Sequence, residues 1–189
     1  MVYFSSQNIA TIAICAALWG VLNSIFSPIF FQATGLPFLC DAIGFSLLSI
    51  AVWWTKKFGA VIVIGLVATG INFIINPGGI YFLGFIAASI VFDAIIWMFG
   101  YNRSFRSRSL IIVSIGFASI FSAGVAGYLI GIFLMPTMAL TRQGGVLVWI
   151  GLHAFGGVIG GAIGIGLILT IRIRLSIKEI GVIQQQEFK

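Results

Sequence analysis

Six apolar runs follow one another along the chain, at residues 8–30, 37–55, 58–75, 81–100, 110–135 and 146–171. An α-helix crossing roughly 30 Å of hydrocarbon needs about 20 apolar residues, so each run has the length of a membrane span. Stretches such as "AVIVIGLVATGINFII" are apolar on every face and lack the alternation of an outer-membrane barrel strand. The expected fold is all-α, a polytopic membrane bundle of six transmembrane helices. The first run is too long for a cleaved signal peptide and has no basic start, so it is expected to stay as the first helix.

Charge is scarce: 60% of the 189 residues are hydrophobic and 7% are charged. The formal charge of +6 is spread by side of the membrane and does not form the basic and aromatic patch of a nucleic-acid binder. Lys56 and Lys57 follow the second run, Arg103, Arg106 and Arg108 the fourth, and Arg172, Arg174 and Lys178 the sixth, while Arg142 stands at the opposite side. The positive-inside rule then puts both termini in the cytoplasm of a multi-pass plasma-membrane protein. No domain boundary interrupts the runs; residues 1–175 form the membrane domain and 176–189 a polar cytoplasmic tail.

In this topology "SPIFFQATGLP" (27–37), "NPGG" (76–79) and "MPTMALTRQGG" (135–145) become outward loops on one side. Pro77 cannot continue a helix, and Gly78 and Gly79 tolerate positive φ, so a sharp turn is the plain reading of the second segment. Asn72 and Asn76 share one helical face beside it, and Asn23 and Gln143 add amides at the same level. Amides next to the rings of Tyr81 and Trp149 suit a neutral or weakly cationic heterocycle, which the rings stack on and the amides read. Trp53, Trp54 and Trp97 fit an interfacial belt.

Asp41 and Asp93 fall within predicted spans, where a carboxylate is costly and marks function by default. Asp41 is close enough to the span's start to reach the interface. Asp93 lies past the midplane, where it either pairs with Arg103 or Arg106 or contacts a ligand. His153, the only histidine, lies two turns into the last run, either hydrogen-bonded within the bundle or donating to a ligand. With no second histidine and only Cys15 and Cys40 as thiols, neither a metal site nor a disulfide framework is expected, and no cofactor.

Small residues recur at four-residue spacing: Ala13 and Ala17, Ala16 and Gly20, and Gly156, Gly160 and Gly164 beside Gly157 and Gly161. Such ridges let helices approach closely in lipid. The glycines of the last run are expected to pack inside the bundle, and the first helix to dock another membrane subunit. Neither a nucleophile elbow, a zinc-protease motif nor a phosphate loop occurs, so the chain is not expected to be an enzyme.

The six-run plan, "AICAALWG" in the first run and "INFIINPGGIYFLGFIAASIVFDAI" across the third and fourth together resemble the substrate-binding membrane subunit (S component) of an energy-coupling factor (ECF) vitamin transporter. The Asn-Pro-Gly-Gly turn is similar to that of members associated with thiamine or its hydroxymethylpyrimidine precursor. The resemblance implies high-affinity binding of a vitamin or precursor at an outward site. It also implies a transmembrane coupling subunit, met by Ala13 and Ala17, and two ATPase subunits that supply the hydrolysis. It places Trp149, His153, Asn76, Tyr81, Gln32 and Thr34 at the site, beside the candidates Asn72 and Asp93. Nickel and cobalt members bear an early histidine, which "MVYFSSQ" lacks. Two other classes stay open: a proton-coupled secondary transporter relaying through Asp93 and His153, and a nonenzymatic scaffold whose small-residue ridges are its function.

Overall fold

The computed structural model describes residues 3–187, with side chains described through Leu175. The proposed tail at 176–189 therefore lies outside the described side chains, and its last two residues outside the description altogether. All regular structure among the described residues is helical: α1 (Ser6–Thr34), α2 (Phe38–Thr55), α3 (Ala60–Ile75), a 3-10 turn (Ile80–Phe82), α4 (Leu83–Phe99), α5 (Tyr101–Ser104), α6 (Arg108–Leu129), a π-helical turn (Ile130–Leu134), α7 (Thr137–Arg142) and α8 (Val146–Glu187). Among the described residues, five segments are long and apolar enough to cross a membrane, as expected of a multi-pass membrane protein.

α3 differs from that expectation. It has 16 residues, a rise of about 24 Å, because Gly59 opens it in the left-handed region and Asn76 closes it before Pro77. A second difference concerns residues 27–37, expected as a loop. α1 runs through Pro28 to Thr34 and ends at Gly35, whose φ of 71° is the left-handed cap. A proline six residues from a helix end frees one carbonyl, Ser24, without stopping the helix. The connection to α2 thus shrinks to Gly35–Pro37.

The six long helices close into a ring, in which α1 packs on α3, α3 on α4, α4 on α6, α6 on α8, α8 on α2 and α2 back on α1. Glycines set the closest approaches. A methyl group at Gly156 would lie 2.7 Å from Asp41 Cβ, at Gly160 2.7 Å from the Asp41 carbonyl, and at Gly164 2.5 Å from Ser49 Cβ, so this ridge seats α8 on α2. Gly157 and Gly161 meet Ser119 of α6 on the adjoining face. In α1 the two small ridges separate: Ala16 and Gly20 face inward, with Gly20 against Ile71, while Ala13 and Ala17 lie on the exposed face.

The ring interior is filled by Trp19, Phe45, Leu48, Ile64, Phe92, Ile111 and Ile115, all nearly inaccessible. The outer faces carry Ile14, Leu66, Trp97, Phe133 and Phe155, exposed apolar side chains of the kind lipid accepts. Lys56, Lys57, Arg103, Arg106, Arg108, Arg172 and Arg174 gather at one end of the ring, where α2, α4 and α8 leave the bundle core. There Arg172 donates to the Phe105 carbonyl, and Lys57 bonds the Tyr3 carbonyl.

Candidate ligand-binding site

The opposite end of the ring holds a cavity of about 650 Å³. Its wall combines the last turns of α1 and α3, the first turns of α2, α4 and α8, the π-helical turn and α7. Three connections therefore converge there, between α1 and α2, α3 and α4, and α6 and α8. Most of the wall is apolar, with a few polar groups among phenyl and indole rings, the make-up of a small-molecule site.

Asn72, Asn76, Tyr81, Trp149, His153 and Gln32 all line this cavity. Asn72 is buried and its Nδ2 donates to Ser24 Oγ at 2.8 Å, joining α3 to α1, while its Oδ1 has no partner. Asn76 closes α3, donating its N–H to the Asn72 carbonyl and accepting from Gly79 at 2.9 Å. The glycines of this turn are not in the left-handed region. Gly79 is required for space instead, since a methyl group there would stand 2.6 Å from Asn72 Oδ1. Tyr81 and Gln32 are exposed at the rim, and Trp149 is buried beside His153, ring centroids 5.3 Å apart. The Trp149 Nε1–H has no partner.

Thr34 and Asp93 do not join this group. Thr34 donates to the Phe30 carbonyl at 2.8 Å and accepts from the Leu36 N–H at 3.2 Å, which makes it part of the α1 terminus. Asp93 lies at the other end of the ring. Its Oδ1 accepts from the Tyr101 hydroxyl at 2.6 Å and its Oδ2 from the Gly59 N–H at 2.7 Å. Its partners are thus a phenol and the amino end of α3, whose dipole favours an anion, and not Arg103 or Arg106. Burial, and then the carboxylate beside it, push the Tyr101 phenol up from its usual value, so it remains a donor.

Asp41 is the residue that sequence reasoning left at the interface. It is fully buried in the first turn of α2, and its Oδ2 lies 2.8 Å from His153 Nδ1 on α8. The contact is close but lacks the angle of a hydrogen bond, and Nε2 has no partner at all among the described residues. Cys40 lines the cavity next to this pair and donates its thiol to the Pro37 carbonyl at 2.7 Å. Two carriers of this cluster were visible as polar residues inside apolar runs. Their pairing was not, because it depends on which helices the glycine ridge of α8 brings together.

Comparison with protein-family models, with curated proteins and with solved structures found no match.

Proposed function

We propose that the chain is the substrate-binding membrane subunit of an ECF-type, ATP-driven uptake transporter, binding a vitamin or vitamin precursor, with thiamine or its hydroxymethylpyrimidine precursor the leading cargo. The observation that carries this reading is the cavity at one end of the ring, apolar with a few convergent polar groups, to which six of the sequence candidates contribute. In this reading all six long helices cross the plasma membrane, α3 with its short length included. The basic end faces the cytoplasm with both termini, so the cavity opens outward. The exposed Ala13 and Ala17 face of α1 meets the coupling subunit through close small-residue packing. Two partner ATPases hydrolyse ATP, and this chain catalyses no reaction.

The proton-relay alternative draws no support from the polar groups, because Asp93 is held by Tyr101 and Gly59 at the end away from His153. Reconstitution separates the readings. Purified chain in liposomes is expected to bind cargo without accumulating it, and to accumulate it only with coupling and ATPase subunits plus ATP. Uptake by the chain alone, driven by a pH gradient, would contradict the proposal.

A further inference from the structure

His153 Nδ1 and Asp41 Oδ2 stand 2.8 Å apart, both side chains withdrawn from solvent. Two lone pairs are not held at that distance without a proton between them. Imidazole is a stronger base than a carboxylate by about two to three pK units in water, so the shared proton belongs to the ring. A ring with its proton on Nδ1 keeps a lone pair on Nε2, and which nitrogen is protonated is set by the partner of the other. Nε2 has no partner among the described residues, and His153 forms part of the cavity wall.

Cys40, Asp41 and His153 carry donor atoms within 4.8 Å of one another, a grouping that raises the question of a metal ion. Two ligands about 2.1 Å from one tetrahedral ion stand about 3.4 Å apart. The 2.8 Å contact is shorter than that, and the Cys40 thiol is engaged with the Pro37 carbonyl. The 2.8 Å separation is that of a carboxylate beside a protonated imidazole nitrogen.

We propose that Asp41 is a positioning residue that fixes His153 as its Nδ1–H tautomer, so that Nε2, buried in a residue of the cavity wall, is left as a hydrogen-bond acceptor and selects ligands presenting an N–H to it. One helical turn earlier, the unpartnered Trp149 Nε1–H offers a donor. Leaving either cavity group unpaired on binding has a cost, which is what excludes ligands lacking the donor. The choice of ligand class rests on the cavity being the cargo site; the tautomer does not.

The chain has one histidine, so protein with 15N-labelled histidine rings, purified without a histidine tag, gives one pair of ring-nitrogen signals. At pH 7 a protonated Nδ1 and an unprotonated Nε2 are expected. Asp41→Asn, whose amide oxygen still accepts, should keep this pattern, and Asp41→Ala should replace it with averaged signals of two exchanging tautomers. Should Asp41→Ala not fold, wild type and Asp41→Asn decide the matter. A protonated Nε2 in the wild type, alone or as imidazolium, overturns the assignment, as does stoichiometric Zn²⁺ binding that is lost in Cys40→Ser. On the same sample 4-aminopyrimidine should shift Nε2 saturably, and pyrimidine should require about tenfold or more higher concentration. Equal shifts, or none from either, overturn the ligand class. Failure of the transport reading would appear instead as absent ATP-driven uptake, with the tautomer unchanged.

Discussion

Asp93 and Asp41 are both fully buried carboxylates, and their neighbours give them different tasks. Asp93 ties α4 to the start of α3 and to Tyr101 by two hydrogen bonds. Asp93→Ala is therefore expected to destabilise the chain by about 1–3 kcal/mol, from two lost hydrogen bonds and an unpaired phenol. Ligand affinity should stay within about threefold, since buried sites without shared partners act nearly independently. Thermal unfolding in detergent with calorimetric titration checks both halves, and a large affinity loss with unchanged melting would place Asp93 at the site. Trp149→Phe and His153→Ala should weaken ligand binding about tenfold or more through a lost hydrogen bond, and His153→Ala should lower stability as well, because it leaves Asp41 buried and unpaired. Asn72 sits between these cases, because its Nδ2 is spent on Ser24 and its Oδ1 is free. Asn72→Ala should lower stability by about 1–3 kcal/mol as well as affinity, whereas Asn76→Ala should lower affinity with less effect on melting. At this scale the sequence singled out His153, Asn72 and Asp93 because a polar residue in an apolar run is conspicuous. It could not assign Asp93 to Tyr101 or Asp41 to His153, since those partners are set by packing between separate helices.

Among the helices, the glycine ridge of α8 decides where His153 stands. Gly164→Ala puts a methyl group within 2.5 Å of Ser49 Cβ, and pushing α8 from α2 is expected to cost about 1–3 kcal/mol and to widen the Asp41 to His153 contact. Gly166→Ala, on open space in the same helix, should be neutral or stabilising by up to about 1 kcal/mol. Equal destabilisation by the two would show that helix propensity and not contact governs the ridge; melting temperatures of the pair decide. The four-residue spacing made this ridge readable in advance. The continuation of α1 past Pro28 was not readable, because a proline near a helix end and a proline in a loop look alike in sequence. The π-helical turn at Ile130–Leu134 left no signal either, although it lines the cavity through Ile130 and leads into Pro136.

For the molecule as a whole, a closed ring with its cavity at one end and its basic residues at the other is a two-ended object. Hydrophobic periodicity and charge distribution made that polarity legible before any contact was known. The length of α3 was less so, because an apolar run gives no sign of where its caps fall. Under the proposed function the outer face of α1 is free for a coupling subunit, and Ala13→Leu on that face should leave ligand affinity within about twofold, in keeping with the near-neutrality of surface substitutions. It should abolish co-purification with the coupling subunit, and undiminished association would move that interface elsewhere. Whether the cavity binds a solute is the central question. Five tryptophans, Trp149 in the cavity wall among them, allow it to be followed by intrinsic fluorescence. Titration of the purified chain with thiamine, hydroxymethylpyrimidine, riboflavin, biotin, folate, cobalamin and queuosine precursors is expected to give saturable binding of one compound, lost in His153→Ala. A folded protein that responds to none of them, or that keeps its affinity without the imidazole, would contradict the account.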